Sequence, residues 1–442
     1  MDFTPHTEGD IATMLGKLGL GSTVDLYRHL PGQVVLDRPL DLDPGLAEPD
    51  VMAMVDQFAS HNTPLVCFAG GGIYDHFLPS VVRSLTMRPE FVTSYTPYQP
   101  EVSQGVLQLL FEFQSMVASI TGLPVANASL YDGATAVAEA VHMAVAATGR
   151  QAVWLSRGLS PGIRQAVVTM AAAQSIEVVE HPLVDGRTSW SEQTPEPAAL
   201  VLAQPNYLGM VESYEDMVSL AKPMGALAIA SVDPMTLGLL RTPGSAGCDV
   251  AVAEGQPLGN PMSFGGPVVG LFATTRDHVR RLPGRLVGRT VDGEGRPGFV
   301  LTLRAREQDI RRQRATSNIC TNQTLNAIGS AIHLAWLGPH GLRRVGEFSA
   351  HKARYLAGRL EELPGVSLAN KRGFLREFAV VLPLDPDEAV AAMAERGFLA
   401  GIPLGAEYPE LSGGLLVAVT ERRTRHQLDS YVDALKEVIA GG

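Results

Sequence analysis

Between residues 61 and 320 short apolar runs alternate with helical segments, and beyond about 321 the pattern changes. The sequence therefore predicts a doubly wound α/β domain with a mainly parallel sheet, followed by a smaller C-terminal α+β domain. The runs at 152–155, 176–179, 200–203, 226–232, 249–253 and 268–273 are continuously apolar rather than alternating, which marks strands buried on both faces. Helical segments near 133–148, 161–174 and 213–222 separate several of them.

Ahead of this domain, residues 1–60 are expected to form an arm. Ile11, Met14, Leu15 and Leu18 follow helical spacing up to Gly19, Ser22 can cap a second short helix ending before Pro31, and a Pro- and Asp-rich stretch runs over 39–49. Packing on a neighbouring chain and simple capping of the main domain both fit such an arm. Val102, Val106, Leu109, Leu110, Phe113, Met116, Val117 and Ile120 mark one long amphipathic helix that Gly122 ends. The large domain is placed at 61–320 and the small one at 321–442. In the latter, helices near 321–337 and 340–363 precede strands at 366–368, 378–382 and 415–419, with further helices at 386–396 and 424–439. No internal repeat, low-complexity tract or long linker interrupts the chain.

Composition narrows the function classes. At 442 residues with 45% apolar and 18% charged residues, the chain is an ordinary globular one, large enough for two to three domains. No apolar run reaches the eighteen or so residues of a membrane span, and the opening residues lack the basic head and apolar stretch of a signal peptide, so a cytoplasmic location is expected. Cys67, Cys248 and Cys320 are far apart and odd in number, and are read as reduced core thiols. The histidines show no ligand-like spacing; no metal is expected, and His76 and His142 read as satisfied local residues. A formal net charge of −11 argues against nucleic acid as the main partner. One stretch runs against this charge: between Arg276 and Arg314 eleven arginines face only Asp277, Asp292, Glu294, Glu307 and Asp309. It serves equally as an internal ion-pair network or solvated face and as a surface for an acidic partner or anionic group.

Ligands of open α/β sheets sit outside the carboxyl ends of the strands, so the loops there carry the candidate chemistry. Asp132, Gly133, Ala134 and Thr135 open a helix and could present N–H groups and a hydroxyl to a phosphate, or simply cap that helix. Asp233, at the end of the 226–232 run, stands where a carboxylate would pair with a pyridinium nitrogen and make the ring an electron sink; before Pro234 it equally suits a turn. Gln204, Pro205 and Asn206 are either ligand-facing or a turn. The segment 94–101 displays Tyr95, Thr96, Tyr98, Gln99 and Glu101 on a stretch stiffened by Pro97 and Pro100. Hydroxyls on so rigid a strut suit phosphate or carboxylate recognition, while the plain alternative is a helix start with Glu101 near its dipole.

The architecture suits pyridoxal phosphate, but the amine that this cofactor needs is missing. The five lysines are Lys17, Lys222, Lys352, Lys371 and Lys436, and none falls in the loop 253–266 where the pattern would place a Schiff base. A chain of this kind depends on a partner.

The segments Tyr95 to Gly105, Ala126 to Gly133, Pro283-Gly284-Arg285-Leu286-Val287-Gly288 and Ala315 to Thr321 together resemble the P-protein of the glycine cleavage system, over nearly the whole length. The resemblance is to the amino-terminal half, which in many bacteria is a separate subunit 1. It implies an aminotransferase-like fold (the type I fold of pyridoxal phosphate enzymes) in a heteromer with a subunit 2 that supplies the cofactor lysine. It further implies that glycine is decarboxylated and that the aminomethyl remainder passes to the lipoyl group of the H-protein. Tyr95, Thr96, Tyr98, Gln99 and Glu101 match a family motif and are the candidates for reaching the partner's pocket. Arg304, Arg306 and Asn318 match a second motif that could hold anionic groups or seal the interface. Asp132, Thr135 and Asp233 would then be relics of a degenerate pocket, with Ala253 to Gly259 in the region of the absent lysine. Two other readings compete: a scaffold that docks an acidic carrier through the arginine-rich stretch, and a self-sufficient lyase, which the lysine inventory opposes.

Overall fold

A computed structural model of the chain describes residues 5–36, 38–92, 95–191, 195–370 and 373–441. Ser94 and Lys371 of the preceding section lie outside the described residues. Contacts divide the chain into two compact units, Met1–Pro64 and Leu65–Gly442.

In the first unit a helix over Glu8–Leu18 opens with a reciprocal cap, Thr7 and Asp10 bonding each other's backbone, and closes at Gly19 with φ 68°. Single-turn helices follow at Thr23–Tyr27 and Gly32–Val34, and a longer one, Glu48–Ser60, begins inside the Pro- and Asp-rich stretch with Pro49 in its first turn. None of these helices buries a residue: Leu18 is 64% and Phe58 60% exposed.

The second unit is built on a seven-stranded sheet. Its strands in chain order are β1 Val125–Ala126, β2 Ala152–Ser156, β3 Glu177–His181, β4 Ala199–Gln204, β5 Leu227–Val232, β6 Val250–Glu254 and β7 Gly270–Thr274. They lie side by side in the order β1-β7-β6-β5-β4-β2-β3. β3, β2, β4, β5 and β6 run parallel, while β7 joins β6 and β1 in antiparallel fashion. The six apolar runs read as strands are all present, each shifted by at most two residues.

Their continuous hydrophobicity has a direct cause in the strand period of two. Leu200, Leu202, Ala228, Ala230, Ala251 and Ala253 point to one face of the sheet, and Ala199, Val201, Ala203, Leu227, Ile229, Val250 and Val252 to the other. Helix α1, Gln104–Thr121, covers the first face with Val106, Leu110, Phe113 and Val117, at i, i+3/i+4 spacing, and stops at Gly122 in the left-handed region. Helix α2, Gly133–Thr148, covers the second with Val137 and Val141. Burial of each such aliphatic side chain is worth about 1.5–3 kcal/mol.

The two helices expected at 321–337 and 340–363 form one segment, α3, Thr324–Glu361, broken at Gly338, where φ is 60°, just before Pro339. Its first part packs Ala327, Ala331 and Leu334 on the large sheet's core, and its second part packs Ala353, Leu356 and Leu360 in the C-terminal core. That second core lies on an antiparallel sheet of Ser367–Leu368, Glu377–Val381, Gly414–Ala418 and Ile402–Pro403, backed by helices Pro386–Glu395 and Arg425–Gly441. Phe68 belongs to it as well, because Val66–Cys67 pairs in parallel with Phe398–Leu399. No helix among the described residues is long and apolar enough to cross a membrane.

Candidate functional site

β5 and β6 run parallel and point their carboxyl ends at the same place, which sets Asp233 and Glu254 at the mouth of one small cavity. The cavity has a volume of about 80 Å³, and its walls include Ser160, Tyr207, Asp233, Glu254, Pro257 and Arg376. No lysine lines it among the described residues. Asp132 closes the start of α2: its two carboxylate oxygens accept from the Thr135 backbone N–H at 2.7 Å and the Thr135 hydroxyl at 3.1 Å. Of the alternatives open for Asp132, the geometry is that of a helix cap. Glu254 accepts from the N–H groups of Gly133 at 2.9 Å and Gln256 at 2.8 Å. Burial pushes its carboxyl up to about 7 against the pull of these N–H groups, with the Asp132 charge adding to the rise.

Asp233 combines the turn expected of it with an ion pair. Its Oδ1 accepts from the Met235 N–H at 3.0 Å, and its Oδ2 lies 2.6 Å from Nη2 of Arg376. Arg376 is 4% exposed, stacks 3.4 Å above the Tyr74 ring centroid and donates to Nε2 of His76, which leaves the Nδ1–H of His76 to donate to Glu421 at 2.6 Å. Next to Arg376, the Glu377 carboxylate accepts from Gly71 N–H at 2.7 Å and the Tyr74 hydroxyl at 2.8 Å. Full burial raises Glu377 to about 7, and it raises the Tyr74 hydroxyl far above its ordinary range. Burial also pushes Glu421 up, but the hydrogen bonds from His76 and the Phe77 N–H outweigh it and hold Glu421 at about 2. His76 is therefore no local residue, as its solitary position in the sequence had suggested. It ties the 65–78 segment to the C-terminal sheet.

A second group forms around Tyr98. Arg285, 3% exposed, donates from Nη2 to the Tyr98 hydroxyl at 3.0 Å and to the Cys320 carbonyl at 2.6 Å. The guanidinium carbons of Arg285 and Arg304 lie 4.8 and 5.4 Å from the Tyr98 ring centroid. Arg304 pairs with Asp309 at 2.7 Å, and Arg306 donates to the Leu282 carbonyl. Burial lowers Arg306 and, for Glu307, raises the carboxyl. Nitrogens on Arg285, Arg304 and Arg306 and one oxygen of Glu307 are buried without a hydrogen-bond partner.

The residues singled out from the sequence thus fall into two places. Asp132, Thr135 and Asp233 gather at the strand ends; Tyr98, Arg304 and Arg306 meet around Arg285. Tyr95, Gln99, Glu101 and Asn318 are exposed, Tyr95 by 83%, and Thr96 is half-buried with its hydroxyl buried and unpartnered. Gln204 and Asn206 bond with Glu212 and the backbone of 208–212, which makes them a turn rather than a ligand-facing pair. The cysteines are free, but the reading of all three as core thiols needs correction: Cys248 is buried, Cys67 half-buried and Cys320 exposed. Among the described residues no group of three or more His, Cys, Asp or Glu is placed to hold a metal. Arg285, Arg376 and Glu377 were not singled out. Arg285 stood in the arginine-rich stretch and in a quoted motif, whereas nothing near Arg376 in the sequence signals its partners.

Comparison with known proteins follows this geometry. The family model described as glycine cleavage system P-protein matches residues 1–435. The chain is 48% identical to the probable glycine dehydrogenase (decarboxylating) subunit 1 of Chlorobium limicola, covering 98% of this chain and 99% of that one. It is 45% identical to the protein of the same description from Moorella thermoacetica, with 100% of both chains covered. Among solved structures, an inhibitor-bound glycine decarboxylase (P-protein) of the glycine cleavage system superposes with a TM-score of 0.93 at 46% identity, covering 99% of this chain and all of that one. An alanine–glyoxylate aminotransferase from Nostoc matches at a TM-score of 0.59 and 17% identity over 92% of this chain and 98% of that one, and shows the aminotransferase-like fold alone. The chain belongs to the glycine cleavage system P-protein family.

Proposed function

We propose that this member of the P-protein family is the subunit without the cofactor lysine in a two-subunit glycine decarboxylase. A partner subunit 2 holds pyridoxal phosphate, glycine loses its carboxylate there, and the aminomethyl group passes to the lipoyl group of H-protein, all in the cytoplasm. The observation that carries this reading is the strand-end cavity: no lysine lines it among the described residues, and Asp233, the carboxylate that would meet a pyridinium nitrogen, is paired with Arg376 at 2.6 Å. The residues present do not fit a covalently held cofactor. When bound in the partner, that cofactor supplies the electron sink for loss of carbon dioxide.

In this reading the work of the present chain is done at its surface. Tyr98 is 49% exposed, and its hydroxyl and ring are held by two guanidinium groups, so that side chain is pre-set before any partner arrives. Tyr95, Gln99 and Glu101 stand on the same exposed strut and complete the face offered to the partner's pocket. Arg304, whose side chain is 39% exposed, can meet an anionic group of the partner, while the unpartnered nitrogens of Arg304 and Arg306 are buried within this chain, which suits a role in sealing the face. Asn318 precedes Cys320, whose carbonyl Arg285 holds, and so borders the same face.

The test is reconstitution. The purified chain with pyridoxal phosphate should neither decarboxylate glycine nor exchange bicarbonate into it, and the mixture with subunit 2 and lipoylated H-protein should do both. Turnover by the single chain would defeat the assignment.

A further inference from the structure

The pocket at the strand ends has lost more than a lysine. We propose that the Glu254 carboxyl group fills the phosphate end of this chain's own pocket, so that the chain excludes a phosphorylated cofactor outright. This goes beyond assigning the cofactor to the partner, and it concerns binding by this chain alone.

In an open α/β sheet, a helix that starts beside the carboxyl ends of the strands offers its free N–H groups and its dipole to a phosphate. Helix α2 starts in that position, and its first turn is already taken. The Gly133 N–H donates to Glu254 Oε2 at 2.9 Å, and the Thr135 N–H and hydroxyl go to Asp132 at 2.7 and 3.1 Å. Two carboxylates thus occupy the positive end of the helix. Glu254 is also fully served elsewhere: its Oε1 accepts from Gln256 N–H at 2.8 Å and Val269 N–H at 3.4 Å. A carboxylate held by three backbone N–H groups is the occupant of a built anion site, not a bystander.

Space tells the same story. A Cβ added at Gly133 would meet the Glu254 backbone nitrogen at 2.8 Å and the Glu254 Cβ at 2.9 Å, so the end of β6 lies directly on the first turn of α2. The position beside the Gly133 N–H, where a phosphate oxygen would sit, is filled by the Glu254 carboxylate itself at 2.9 Å. The cavity that does remain, about 80 Å³, is well below the roughly 300–1,000 Å³ of small-molecule pockets. Among the described residues no free cation lines the cavity to offset a phosphate, because the guanidinium there, that of Arg376, is committed to Asp233.

The experiment is a calorimetric titration of the full chain with pyridoxamine phosphate, which has no aldehyde to react with surface lysines, and with pyridoxamine as the control lacking the phosphate. Wild type should show no saturable binding of either. Glu254→Ala should bind pyridoxamine phosphate saturably and at least tenfold more tightly than it binds pyridoxamine. Glu254→Gln keeps the side chain's size and removes its charge, and it serves as the reading if the alanine variant does not fold by thermal melt. A gain in both variants assigns the exclusion to charge, and a gain in the alanine variant alone assigns it to space. Saturable binding by wild type, or no gain in either folded variant, overturns the proposal. Neither result depends on whether a mixture with subunit 2 turns over glycine.

Discussion

Arg376 Nη2 and Asp233 Oδ2 lie 2.6 Å apart, with side chains 4% and 12% exposed, and the pair joins the end of β5 to the C-terminal sheet. A buried pair of this kind stabilises little relative to apolar residues of the same volume, yet losing one partner leaves a charge stranded away from water.

Removing one partner should therefore cost more than removing both. Asp233→Asn is expected to lose about 3–5 kcal/mol of unfolding free energy, while Asp233→Asn combined with Arg376→Met recovers at least half of it. Urea unfolding of the wild type, each single variant and the double variant gives the coupling directly. Simply additive losses would mean that the pair does not act as a unit.

Tyr98 supports a different expectation, because it is half exposed and touches no core. Tyr98→Phe deletes the acceptor of one Arg285 hydrogen bond and leaves the ring between the guanidinium groups. Stability should fall by about 1 kcal/mol. Glycine–bicarbonate exchange by the variant mixed with subunit 2 should fall roughly tenfold in kcat/KM, equivalent to ~1.4 kcal/mol of lost transition-state stabilisation. Full exchange activity in the folded variant removes the hydroxyl from the reaction.

Stability should also depend on pH in a direction set by buried carboxyls. Glu377 and Glu254 ionise near 7 in the folded chain, because burial penalises their charged forms, against 4.5 ordinarily. Between those values the folded state holds protons that the unfolded state has released. Their contribution is thus fully present below pH 4.5 and is lost as pH rises through 7, on the order of a few kcal/mol. Glu421 has the opposite sign: held at about 2, it contributes above 4.5 and loses that contribution as pH falls toward 2. The melting temperature should be higher at pH 5.5 than at pH 8, and Glu377→Gln should flatten that difference. A rise in melting temperature from pH 5.5 to 8 contradicts the assignment.

The strands of the large sheet were legible because burial on both faces writes itself into consecutive residues, as at Leu200, Val201 and Leu202. The break at Gly338 and Pro339 was legible for the same local reason, a residue with positive φ followed by one with no N–H. Strand direction was not: nothing in the run at 268–273 says that β7 turns against β6. The pairing of Val66–Cys67 with Phe398–Leu399 was equally silent, since each stretch carries only two paired residues.

What the sequence determined by itself was a local inventory: periodicities, caps, the motifs around Tyr98 and Arg285, and a loop at 253–266 without lysine. Those follow from single residues and their near neighbours. The tertiary structure alone decided which charges meet. His76 reaches Arg376, 300 residues away, and Glu254 reaches Gly133, 121 residues away. Such pairs form because the topology lays strand ends and helix starts side by side, and burial then makes each unsatisfied charge too costly to leave alone.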